Sequence, residues 1–343
     1  MTLTPLFSQS TICYLSNSIQ SNVSRYITAS DIFPTQSGRK KKNFSYSDAR
    51  KLIKHFGYQG LVPKKKIQVF FNFKGGTGKT SVCYQISSFF ALCGFKVLVI
   101  DCDPQGHLSH SWGFDIHQDY KTLYDVIVNK VHFEDAIVNV CEGLDCLPSN
   151  LSLTRLELPL NQMPNREKVF SRLIAPIVPK YDFIFIDTNP TISTINRNVT
   201  LAADELNVIC ETQPYSLRGL EILVEEIAHL ADVMDMKISY KIIPNKYESK
   251  TATSQEVLGK LRLDYKSQLM NSVIRKCEDV NISAQRREPI FFWCSKNSPA
   301  FEDFYDLGRE MIFSSTTTYS PVALSNSDNI LKKNPGKKKS EID

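Results

Sequence analysis

Between Phe71 and Ser81 the chain reads FNFKGGTGKTS, where glycines, two lysines and hydroxyl side chains are concentrated in one short stretch. A glycine-rich turn that enters a helix exposes successive backbone N–H groups, and the positive end of the helix dipole adds to their pull on an anion. Gly75, Gly76 and Gly78 let the backbone approach phosphates closely, with Thr77 between them. Lys79 supplies a point charge to terminal phosphates, and the Thr80 hydroxyl, followed by Ser81, is placed to ligate Mg²⁺. The usual phosphate-loop pattern, G-x-x-x-x-G-K-S/T, would put a glycine at position 73. This chain has Phe73 there, followed by an additional cation, Lys74.

Such a loop needs a carboxylate at the end of a neighbouring buried strand to hold the hydrated metal. Asp187, closing YDFIFID, meets that requirement. Asp101 and Asp103, in VLVIDCDPQG, end another strand, and side-chain alternation sends both the same way. Beside a magnesium nucleotide they can orient an attacking water and the metal's water shell. The alternative is a pair of turn and capping residues ahead of Pro104.

The elements that must position these groups follow from the apolar pattern. IQVFFNF, KVLVID, YDFIFID, ELNVICE and ISYKIIPN read as buried strands, and the intervals between them are helical. Lys79 to Cys93 carries Val82, Ile86, Phe89, Phe90 and Cys93 on its inward side, with Gly94 stopping the helix. Near-continuous apolar strands alternating with helices predict an α/β fold, a mainly parallel twisted sheet with helices on both faces. In such sheets ligands bind at the carboxyl ends of strands, where both polar clusters fall.

The chain has 343 residues, 42% hydrophobic and 22% charged, enough for one large core and a smaller module. The net charge of +5 is unevenly placed: ten basic residues lie between Arg39 and Lys66 against one acid, Asp48. That excess predicts either a polyanion partner or a solvated linker. Residues 1 to 24, rich in Ser, Thr and Asn, are expected to be poorly ordered. Residues 25–66 are expected to form a small basic helical extension, with Ala49, Leu52, Ile53 and Phe56 on one helical face, Ser47 as cap and Gly57 as stop, and LVPKKK as a hinge. Residues 314–343 read as a disordered, lysine-containing tail. Nine scattered cysteines without C-x-x-C fit a reducing cytoplasm, and no signal peptide or membrane span is predicted.

The loop resembles that of the deviant Walker ATPases of the ParA/Soj/MinD family, K-G-G-x-G-K-S/T, in which the early lysine is diagnostic. VLVIDCDPQGHLS is similar to the family's aspartate-rich switch region and YDFIFIDTNP to its Walker B. TLYDVI, GLDCLPSNLSL, TQPYSLRGLEIL, NKYESKT and EPIFFWCSKNSPAFEDFYDLGREM extend the similarity over 67–313. The resemblance implies a P-loop NTPase of SIMIBI-like architecture that hydrolyses ATP slowly with Mg²⁺. It implies that Lys74 reaches across a nucleotide-sandwich homodimer, that Asp103 positions the attacking water beside Lys79, and that Thr80, Asp101 and Asp187 surround the metal. Asn245 matches a base-contacting position. His107 and Asn189 depart from the family's usual Asn and Pro.

Within that family the similarity is greatest to ParA-type plasmid and chromosome partition proteins, which implies ATP-dependent, non-specific DNA binding and a ParB-like centromere-binding partner that stimulates hydrolysis. Where the family often places a DNA-contacting arginine, near Asp279, this chain has Lys276, Arg286 and Arg287 nearby. The basic run Arg39, Lys40, Lys41 and Lys42 resembles the wing of a helix-turn-helix ahead of larger partition ATPases. The tail lacks the bulky apolar face of a membrane-binding helix, so no stable membrane association is expected, and the location implied is cytoplasmic and nucleoid-associated. A cargo-positioning or regulatory ATPase and a nucleotide-gated DNA-binding repressor are the alternatives.

Overall fold

The computed structural model describes residues 5–38, 41–115 and 119–318. The chain opens with β1 (Phe7–Ser8), α1 (Gln9–Leu15), α2 (Gln20–Ala29), β2 (Gln36–Gly38), β3 (Lys41–Phe44), α3 (Tyr46–Ile53), a π turn over Lys54–Tyr58, and β4 (Leu61–Pro63). Then come β5 (Ile67–Phe71), α4 (Lys79–Leu92), β6 (Val97–Asp101), α5 (His107–Ser111) and α6 (Leu123–Ile127). The hairpin β7 (Val138–Cys141) and β8 (Leu144–Leu147) leads to α7 (Glu157–Gln162), α8 (Val169–Ile174), β9 (Phe183–Asp187), α9 (Thr194–Ala202) and β10 (Glu205–Glu211). Last are α10 (Pro214–Val233), β11 (Tyr240–Asn245), α11 (Ala252–Asp264), α12 (Glu278–Arg286), α13 (Ile290–Trp293), α14 (Pro299–Ser315) and β12 (Thr316–Thr318).

Seven strands form one sheet in the order β11-β10-β5-β9-β6-β8-β7. Every neighbouring pair is parallel except β7 with β8, so the expected α/β architecture holds with an antiparallel edge added. All residues of β5, β6, β9 and β10 are buried. Alternation divides them between two apolar layers. Phe70, Val97, Val99, Phe183 and Phe185 face α4, whereas Val69, Leu98, Ile100, Ile184 and Ile186 face the layer containing α6, α8 and α10. Because β9 lies between β5 and β6, the loops after β5 and β6 and the end of β9 open on one side.

The amino-terminal segment corrects several expectations. Within residues 1–24, expected to be poorly ordered, lie α1 and the first half of α2, whose Ile12, Leu15 and Val23 are fully buried in the layer that covers α4. The polar composition hid them because apolar residues are few and each is used. Ser45, not Ser47, caps α3, accepting from the Asp48 N–H at 3.2 Å. Gly57 does not end that helix at a left-handed turn. It lies where an added Cβ would meet Ser16 backbone at 3.1 Å, so it lets α1 approach. LVPKKK is not a hinge: β4 pairs antiparallel with β12, which also moves the end of the ordered chain beyond the expected boundary at 313. The remainder of the expected tail, from residue 319, lies outside the described residues.

The basic excess is also partly internal. Arg50 donates through Nε to the Ala91 carbonyl at 2.8 Å and through Nη2 to Phe95 at 3.0 Å, and Lys54 donates to Gly94 at 3.1 Å. These cations satisfy carbonyls at the carboxyl end of α4, where the helix dipole favours positive charge. Lys65 pairs with buried Glu205, and Lys66 donates to the Tyr181 carbonyl at 2.9 Å. Lys42 is exposed, while Arg39 and Lys40 lie outside the described residues, as does the side chain of Lys41. Arg50→Ala is therefore expected to lower the unfolding free energy by about 1–3 kcal/mol. Lys51→Ala, whose side chain is 61% exposed, should change it by less than about 0.5 kcal/mol. Urea unfolding of both variants checks this, and equal effects would refute the capping role.

Candidate functional site

The loop after β5 begins with Asn72, whose Nδ2 donates to the Ile209 carbonyl on β10 at 2.6 Å and whose Oδ1 accepts the Lys74 N–H at 2.8 Å. It ends at Gly78, where φ is 94° and an added Cβ would lie 2.4 Å from Asn245 Nδ2. Only glycine serves both the left-handed backbone and that close approach. Asn245 braces the turn from β11, donating to the Thr77 carbonyl at 2.7 Å. Gly75, Gly76, Gly78, Lys79, Thr80 and Ser81 line a cleft of about 770 Å³ together with Asp103, Gln105, His107, Asn245, Lys246, Arg275 and Lys276. The volume is within the range of small-molecule sites, roughly 300–1,000 Å³.

The two lysines of the loop occupy different environments. Lys79 is 6% exposed and its Nζ turns back to the Lys74 carbonyl at 3.4 Å. Burial pushes its ammonium below the usual lysine range, opposed by the charges of Asp187 and Asp103. Lys74 points outward, its side chain 44% exposed, and its Nζ pairs with Glu211 at the end of β10. Glu211 is 5% exposed. It also accepts from Lys246 Nζ at 2.8 Å, and Lys246 Nζ donates in addition to the Gly76 carbonyl. Burial alone would raise the Glu211 carboxyl, but hydrogen bonds from Lys246 and Lys74 outweigh it and the net shift is downward.

Asp101 and Asp187 are register partners at the ends of β6 and β9, and both are fully buried. Asp187 Oδ2 accepts from the Thr80 hydroxyl at 2.7 Å, while Oδ1 is buried without a hydrogen-bond partner among the described residues. Burial raises the Asp187 carboxyl well above its ordinary range, and the neighbouring Asp101 adds to the effect. Asp101, the register partner, is more fully hydrogen-bonded. Its Oδ1 accepts the Asp103 N–H at 3.0 Å, and its Oδ2 accepts the Ser109 N–H at 2.9 Å and the Ser109 hydroxyl at 2.6 Å. Its carboxyl, pushed up to about 6 mainly by burial, organises the turn that carries Asp103. Asp103 lines the cleft, and accepts the Gln105 N–H at 2.9 Å. β6 ends at Asp101, so Asp103 belongs to the following turn and not to the strand.

The donor set fits a hydrated divalent cation bound with phosphate. One hydroxyl and one buried carboxylate oxygen with an unused lone pair face a basic, glycine-lined loop. Among the described residues there is no cluster of three or more acidic, His or Cys side chains that could cage a metal by itself. Sequence reasoning missed Glu211, Lys246 and Ser109. A buried glutamate closing an apolar strand on the ligand side of the sheet was the available signal for Glu211.

The remaining predicted residues lie nearby with intrachain partners. Lys276 pairs with Glu248 at 3.0 Å, and Arg286 pairs with Glu288 at 2.8 Å and sits over the Trp293 ring. Arg287 reaches His110 at 2.9 Å. Asp279 accepts from Ser298, so the position where an arginine was sought holds a structural carboxylate.

A family model described as an AAA domain (AAA_31) matches residues 65–240. The cell division protein PomZ of Myxococcus xanthus is 31% identical over 226 residues, covering 65% of this chain and 71% of that protein. The chromosome-partitioning ATPase Soj of Treponema pallidum is 26% identical, covering 72% of this chain and 97% of Soj. Among solved structures, McdA from Cyanothece in complex with ATP superposes with a TM-score of 0.66 at 19% identity, over 75% of this chain and all of that one. A two-lysine phosphate loop on this sheet, matched by the family model over half of the chain, has one explanation. The chain belongs to the ParA-type family of P-loop ATPases.

Proposed function

We propose that the chain is a partition ATPase that binds ATP, pairs with a second copy across the bound nucleotide, holds DNA without sequence preference in that state, and releases it after hydrolysis stimulated by a ParB-like partner. The observation that carries this reading is the separation of the two loop lysines. Lys79 is buried in the phosphate cradle of its own chain, and Lys74 stands at the open surface where another copy can meet it. A cation supplied by a second subunit favours the triphosphate-bound dimer, because the terminal charge is what it reads.

In this reading the backbone of residues 75–80 and Lys79 hold the phosphates, and Asn245 contacts the base edge of the cleft. Asp103 orients the attacking water, since it is the cleft carboxylate on the turn fixed by Asp101 and Ser109. Thr80 and Asp187 would hold Mg²⁺, directly and through water, and the ion would supply neutralisation of phosphate charge. Lys42, Lys276, Arg286 and Arg287 are candidates for DNA contact. The ion pairs of Lys276 and Arg286 are at exposed positions and are worth little, so phosphate can displace them. Arg39, Lys40 and Lys41 remain candidates on sequence alone. Positioning of a cargo other than a replicon is the second reading, favoured by the 31% identity to a cell division protein.

Asp103→Ala is expected to lower ATP turnover by about 100-fold or more while leaving a nucleotide-bound dimer that stays on DNA. Lys74→Ala should abolish ATP-dependent DNA retention. Filter binding and phosphate release measure both, and Asp103→Ala that still cycles would reject the assigned role. DNA retention by the ATP form should fall steeply from about 50 to 200 mM salt, as counterion release requires. A salt-independent complex would sink the non-specific binding mode.

A further inference from the structure

Glu211 is a nearly buried carboxylate held by two ammonium groups, Lys74 on one oxygen and Lys246 on the other. Neither lysine is equivalent to the other. Lys246 has a second anchor on the Gly76 carbonyl inside the loop, whereas among the described residues the Lys74 ammonium is held by Glu211 alone. Removing the only partner of a buried charge is costly, but removing one of two is not, because the remaining cation still compensates it. The trio can therefore give up Lys74 and keep Glu211 paired.

We propose that Glu211 and Lys246 are positioning residues for Lys74: Glu211 retains the Lys74 ammonium on its own subunit in the nucleotide-free chain, and Lys246 makes its release to the partner subunit's phosphates affordable. This rests on the reading that Lys74 acts across a pair of subunits. The balance between the trio and the partner's terminal phosphate then sets the nucleotide concentration at which the chain dimerises. The two flanking substitutions push that balance in opposite directions. Glu211→Gln removes the charge that retains Lys74. Lys246→Met leaves Lys74 as the sole cation on a buried carboxylate and tightens the hold.

Two measurements on the full chain test this. Acetylation of Lys74 by sulfo-NHS-acetate in the absence of nucleotide, read by mass spectrometry, should rise several-fold in Glu211→Gln and fall several-fold in Lys246→Met. In sedimentation with a non-hydrolysable ATP analogue and Mg²⁺, the half-maximal concentration for dimerisation should drop about tenfold in the first variant and rise about tenfold in the second, the loss or gain of one charge-assisted hydrogen bond. Shifts of the same sign in both variants, which a merely structural role would produce, overturn the proposal, as does unchanged Lys74 labelling in Glu211→Gln. If labelling responds as expected but the wild-type chain stays monomeric with saturating analogue, the two-subunit reading fails and the dimerisation threshold falls with it, while retention of Lys74 by Glu211 stands.

Discussion

At the ends of β6 and β9 two carboxylates are held side by side out of water, with one buried ammonium, Lys79, beside Asp187. Charge in such a place is tolerated only where it is paired or hydrogen-bonded. Asp101 meets that condition with three donors, one from the following turn and two from Ser109 in α5. Asp187 meets it in part, with the Thr80 hydroxyl and the Lys79 charge, and retains one oxygen without a partner among the described residues. The cleft is thus short of positive charge on its carboxylate side and rich in donors on its loop side. A metal-bound polyphosphate matches both deficits at once, which is why the sheet, the loop and the following turn converge there.

The loop's geometry extends the same accounting to its other side. Glu211 closes β10 as Asp187 closes β9, and each brings a buried carboxylate to the carboxyl edge of the sheet. One faces the inner lysine of the loop and the other the outer lysine. A single turn of chain between β5 and α4 therefore carries two cations whose environments are set by different strands.

Much of this was legible in the sequence. The five apolar runs became strands, and Lys79 through Thr80 began α4 as the glycine pattern required. Local rules sufficed because strand periodicity, the loop and the helix stop are all read within a few residues. What escaped involved distant partners. Lys74 and Glu211 are 137 residues apart, and nothing in either segment names the other. The hold of Ser109 on Asp101 also spans a turn that strand alternation does not describe, since β6 ends at Asp101. The hairpin β7–β8 escaped because its strands are short and β7 is half-buried, without a strong apolar alternation. The polar start of the chain escaped because so few apolar residues suffice when every one of them is inserted into an existing layer.

That layer has a consequence for where the molecule can be divided. The family match begins at residue 65, yet the outer side of α4 is covered by residues that precede it. Tyr58 sets its ring against Phe89 and sends its hydroxyl to the Leu15 carbonyl at 3.1 Å, and Arg50 and Lys54 close the far end of the helix. A chain trimmed to the matched segment would leave aromatic surface of the phosphate-loop helix bare. The boundary recognised by kinship is thus not a boundary of folding, because buried residues ahead of it, Ile12, Leu15, Leu52 and Tyr58 among them, belong to the same apolar layer as α4.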